Sequence, residues 1–158
     1  MNTLNRRARK TLLTAHVATS VSWLGADLVL VVLGAAALSG RAPDGLYPVA
    51  ALIGDWLLLP LTVAIWLIGV ANAVLTPWGL LTHWWVTVKL IVTTVMLGLV
   101  YLLLTPGLRQ AAESGAELAR EDRLNMVVAP GVSGALLIFL IALSVFKPWG
   151  RVRRAAPR

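Results

Sequence analysis

Apolar residues along this 158-residue chain come in four runs of about twenty or more, separated by short polar breaks. Runs of that length predict helices that cross a bilayer. The first covers about Thr11 to Leu38, and Gly40, Pro43, Asp44 and Gly45 mark the turn after it. The second covers about Tyr47 to Leu75, with Pro60 at its middle, and Pro77 and Gly79 break it. The third covers about Thr82 to Thr105 and is expected to stop at Pro106 and Gly107. Residues 106–125 form a polar segment, an outer loop with at most a short surface helix. The fourth covers about Met126 to Phe146. Short connections favour antiparallel neighbours, so the expected fold is all-α, a four-helix up-down bundle spanning residues 1–158 as one integral membrane domain. Neither an internal repeat nor a low-complexity tract is visible.

Composition agrees with this pattern. The chain is 58% hydrophobic and 13% charged, against about 45–50% and about 25% in a soluble domain. A formal net charge of +7 in a soluble protein would suggest nucleic acid. Here nine of the fourteen bases lie in the two tails, none in the Thr76–Leu81 turn, and four in the segments on the other side, which hold five acids. That asymmetry is the positive-inside pattern, with both termini expected in the cytoplasm and no nucleic-acid partner. Trp78, Trp84, Trp85 and Trp149 then fall at the cytoplasmic interface, with Tyr47 and Tyr101 near the outer one. The basic start followed by an apolar run resembles a signal peptide, but Thr11–Leu38 far exceeds the roughly 7–15 apolar residues of one, so an uncleaved anchor is expected. With no cysteine there is no disulfide, thiol catalysis, Cys-ligated cluster or covalent c-type haem. Phosphate loops, HExxH and G-x-S-x-G are also absent.

Three charged side chains fall inside the apolar runs: Asp27, Asp55 and Lys89. Charges there are costly, which makes each a candidate for function. Asp27 lies roughly 20 Å along the first helix at about 1.5 Å per residue, and Asp55 lies at a similar depth from the outer side. Adjacent helices could pair them as two carboxyls sharing one proton, a proton-handling site with the Trp56 carbonyl freed by Pro60 as acceptor. The ordinary alternative is that each is protonated or bonded to a hydroxyl or the backbone. Lys89 has two readings as well: a stem that lifts its ammonium to the headgroups, or a buried base that holds a carboxylate, a haem propionate or a substrate.

The two histidines, His16 and His83, fall toward the cytoplasmic ends of helices one and three. His16, Ser20, Trp23 and Asp27 share one helical face, and His83, Thr87, Leu90, Thr94 and Tyr101 another; both stripes are expected to face inward. Facing imidazoles could ligate a b-type haem, while two ligands alone make a poor metal site. Their ordinary role is hydrogen bonding to Asn72, threonines or headgroups. The segment GVSG, Gly131–Gly134, reads as a packing surface of small residues.

The stretches RRARKTLLTAHVATSVSWLGA, TPWGLLTHWWVTVKL and LSVFKPWGR, in that order, resemble an uncharacterised family of small four-helix integral membrane proteins common in actinobacteria. The resemblance covers nearly the whole chain and implies four spans in a plasma membrane, with no activity attached. More distantly, HVATSVSWLG is similar to a pattern of copper-resistance-D-like membrane proteins, some of which are thought to bind haem or copper. The resemblance to the four-helix family places His16, Trp23, Gly25, Trp78, His83 and Lys89 in the family motifs. Three functions follow in order of expectation. The first is a non-catalytic scaffold or accessory subunit with a membrane-protein partner or a second copy; then a haem b electron carrier; then a small proton-coupled transporter. Transporters are usually larger and repeat-built, which places that reading last.

Overall fold

The structure is a computed structural model, and it describes residues 5–43, 45–75 and 83–146. Trp78, Trp149, the Thr76–Leu81 turn and the C-terminal bases lie outside the described residues. Among the described residues the chain is all-helical, with no strand. Four helices are long and apolar enough to cross a membrane: α1 (Arg6–Leu38), α2 (Leu46–Leu75), α3 (Trp84–Glu117) and α4 (Arg120–Phe146). At about 1.5 Å per residue the shortest, with 27 residues, extends about 40 Å. Asn5 caps α1, its side-chain oxygen accepting the Ala8 N–H at 2.8 Å.

The third helix corrects the sequence expectation. It does not stop at Pro106; it runs on as α-helix through Thr105–Ser114 and ends in a 3-10 turn at Gly115–Glu117. A π turn, Val100–Leu104, precedes the proline, and the Thr105 N–H reaches back five residues to the Val100 carbonyl. Proline has no N–H and its ring presses on the carbonyl four residues earlier. A single widened turn accommodates both effects. The same device stands in α2, where the π turn Gly54–Leu58 ends two residues before Pro60 and the Leu59 N–H donates to the Gly54 carbonyl. Residues 106–125, expected as a loop, therefore extend α3 and open α4, burying Leu108, Ala111 and Leu118.

Helix α1 packs chiefly on α4 and next on α2; α2 also packs on α3, and the seam between α3 and α4 is the thinnest. The α1–α4 seam is made by small residues. A Cβ on Gly34 would stand 2.5 Å from the Met126 carbonyl oxygen, and one on Gly134 would touch Leu24 and Asp27. Met126 is four residues before Pro130, so its carbonyl has lost its helical donor and lies against the Gly34 backbone, in the manner of a Cα–H···O contact. The contacts step in opposite directions along the two helices: Gly34 with Met126, Asp27 with Ser133. The buried core joins Trp23, Leu30, Leu58, Ile65, Met96, Leu137 and Leu140. Large apolar side chains also point outward on every helix, among them Val32, Trp56, Leu103 and Phe146.

We predict that Gly34→Ala costs about 1–3 kcal/mol, since the methyl meets backbone and not a side chain that can turn away. Gly25→Ala should be neutral, because nothing lies within 4 Å of its Cβ position. Melting of both variants in mild detergent decides it; equal Tm values would show that the α1–α4 approach carries no stability.

Candidate functional site

Each of the three charges inside the apolar runs ends on a neighbouring helix. Asp27 on α1 is fully buried, and its Oδ2 accepts from the Ser133 hydroxyl on α4 at 2.8 Å. Its Oδ1 has no partner among the described residues; nor does the indole N–H of Trp23, one helical turn earlier and equally buried. Ser133 belongs to the GVSG segment, so that surface both packs and supplies a donor.

Asp55 on α2 accepts from Arg109 on α3, with Nε at 3.0 Å from both carboxylate oxygens and Nη2 at 2.9 Å. This is a fork-shaped pairing of guanidinium on carboxylate. The adjoining Gly54 sits so close to Leu108 that a Cβ would lie 2.8 Å from its Cδ1. The expectation that Asp27 and Asp55 share a proton is thus corrected: they have different partners on different helices, and no hydrogen bond joins them. The reason is the continuation of α3 past Pro106, which carries Arg109 to Asp55.

Lys89 on α3 donates from Nζ to the Ser144 hydroxyl on α4 at 2.5 Å, and Ser144 passes its own proton to the Leu140 carbonyl. The ammonium is therefore turned into the seam between helices. Three further polar links cross between helices, one of them from Arg123 Nη2 on α4 to the Ala116 carbonyl at the end of α3, at 2.7 Å. The Trp66 indole N–H on α2 donates to Thr94 Oγ1 on α3 at 2.9 Å. The Asn72 side chain makes a long contact of 3.5 Å to the Leu12 carbonyl on α1. Every adjoining pair of helices in the order α1, α2, α3, α4 and back to α1 carries at least one such link.

The stripe expected on α1 is found: Ser20, Trp23 and Asp27 are buried, and His16 is half-buried with its Cε1 3.5 Å from the Cβ position of Gly69 on α2. His16 Nδ1 is buried without a partner among the described residues. The stripe expected on α3 is corrected. Thr94 and Tyr101 are exposed, and the buried face carries Val86, Met96 and Val100. Thr94 can face outward because its hydroxyl bonds the Leu90 carbonyl of its own helix. His83 is not in the helix but caps it in extended conformation, accepting the Val86 and Thr87 N–H groups on its carbonyl, with its ring 6.4 Å from that of Trp85. His16 and Lys89 are near enough to interact electrostatically, and no group of three or more metal-ligating side chains occurs among the described residues. A cavity of about 480 Å³ opens at the other end, between the α1–α2 turn and the end of α3, lined by Tyr47, Ala112 and Arg123.

Comparison with known proteins returned no matching family model, no matching curated protein and no matching solved structure.

We predict that Ser133→Ala lowers stability by about 0.6–1.7 kcal/mol, the range for interhelical hydrogen bonds in membrane proteins. Asp55→Asn should leave the carboxyl infrared band of Asp27 unmoved. A displaced band would show that the two acids communicate.

Proposed function

We propose that this chain is an integral four-helix up-down bundle of a bacterial plasma membrane, with both termini cytoplasmic. We propose further that it serves as a non-catalytic scaffold or accessory subunit. One observation carries the reading: each of the three charged side chains within the apolar runs is tied to a neighbouring helix. A proton path needs titratable groups in succession, and the pair on which a transporter reading rested has two separate partners. Outward apolar side chains on all four helices support a lipid-facing surface, and the basic tails support the orientation.

A second reading, a haem b carrier ligated by His16 and His83 with Lys89 toward the propionates, is favoured by one observation, the buried Nδ1 of His16, which has no partner among the described residues. The reactive chemistry would belong to the haem; the chain would contribute the two imidazoles and a cation.

Reporter fusions at each terminus and at residue 115 are expected to be cytoplasmic, cytoplasmic and periplasmic. A periplasm-active terminus would overturn the topology. Protein purified from haem-supplemented cells should be colourless if it is a scaffold. A reduced-minus-oxidised spectrum lost in both His16→Ala and His83→Ala would replace that reading with the haem one.

A further inference from the structure

All seven acids of the chain lie at Asp27, Asp44, Asp55, Glu113, Glu117, Glu121 and Asp122. None lies before Asp27 on α1, after Asp55 on α2, in the first half of α3 or in the last half of α4. These four stretches make one end of the molecule, because α1 and α4 pass in opposite directions and Lys89 meets Ser144 two residues from the end of α4. That end holds Arg6, Arg7, Arg9, Lys10, His16 and Lys89 with no carboxylate among them.

Lys89 is where this imbalance matters. Its ammonium has three donors, and among the described residues it has one partner, a neutral serine oxygen. That serine is itself committed to the Leu140 carbonyl. A half-buried cation with a single neutral acceptor is costly, and no acidic side chain of this chain is at that end to relieve it. The seam that holds Lys89 is also the thinnest of the four, and α3 is the least buried helix. Lys89 stands five residues beyond Trp84, about 7–8 Å along the axis, within reach of the headgroup layer for a lysine stem. Exposed Trp84 and half-buried Trp85 frame the same level.

We infer that the α3–α4 seam beside Lys89 and Ser144 binds a phosphate-bearing anion, supplied by an acidic phospholipid of the cytoplasmic leaflet. The phosphate oxygens accept from Lys89 Nζ, and the acyl chains lie along the outward apolar face of α3, which carries Ile91 and Val95. Basic pockets between helices at the cytoplasmic face recognise acidic headgroups by the same physics. The inference rests on the proposed orientation. The reporter fusions test that orientation separately, so failure of lipid binding with intact topology would count against this site alone.

The test is native mass spectrometry of the full chain released from bilayers of equal phosphatidylglycerol and phosphatidylcholine. The expected result is preferential retention of phosphatidylglycerol, reduced about fivefold or more in Lys89→Met, the factor for one base near an anionic surface, and retained in Lys89→Arg. Added inorganic phosphate that displaces the lipid would assign the site to a free anion of the same chemistry. Should Lys89→Met fail to fold, a photoactivatable phosphatidylglycerol on the unmutated chain gives the answer, with labels expected on residues 85–93 and 140–146. Unchanged retention in Lys89→Met, labels elsewhere, or loss of preference only when Arg6, Arg7, Arg9 and Lys10 are neutralised would overturn the proposal.

Discussion

The close passage of α1 over α4 is the constraint on which the other contacts depend. Between helices in lipid there is little hydrophobic gain from association, so backbone approach and hydrogen bonds must hold them. Three features of this seam act together. Pro130 removes the donor of the Met126 carbonyl, Gly34 lets that carbonyl reach the neighbouring backbone, and the closeness so obtained brings Ser133 within 2.8 Å of Asp27. A side chain at Gly34 would separate the helices and lengthen the serine–aspartate bond as well. Packing and polar pairing are here one property of a short stretch of each helix.

The prolines show how local chain geometry decides which side chains meet. Pro60 and Pro106 each follow a π turn at the same offset. A π turn adds about one residue to the local winding, so it rotates everything beyond it relative to an uninterrupted α-helix. In α2 the widened turn includes Gly54 and Asp55; in α3 it precedes Leu108 and Arg109. The two interruptions face each other, with Gly54 against Leu108 and Asp55 against Arg109. Proline at both sites is therefore compatible with a continuous helix and with the one ion pair among the described residues.

Much of this was legible in the residues, and the exceptions have physical causes. Hydrophobic run length places all four helices, and the 3.6-residue period identifies the inward face of α1 through Ser20, Trp23 and Asp27. The period misleads on α3, because a threonine can satisfy its hydroxyl on its own helix and face outward, as Thr94 does. Depth along an axis brings Asp27 and Asp55 level but says nothing of the angle around it, and treating Pro106 as a terminus hides the arginine that pairs with Asp55. The serine partners are harder still. Ser133 and Ser144 have the size of packing residues, and only the seam on which each falls reveals it as a donor or an acceptor.

The polarity of those serines links the ties to the charge pattern. Ser133 donates a hydrogen bond to a carboxyl, while Ser144 accepts one from an ammonium and donates its own to the backbone. Asp55 and Arg109, toward the opposite end of the molecule from Lys89, are paired charge against charge. Lys89 differs from both: it stands at the end of the molecule where the bases are concentrated, and its only described acceptor is neutral. The acids that balance the outer bases cannot be moved inward without spoiling the charge asymmetry that would orient the chain. A counter-charge for Lys89 is therefore better supplied from outside the chain, and in the proposed orientation the cytoplasmic leaflet is the nearest dense source of anions to it.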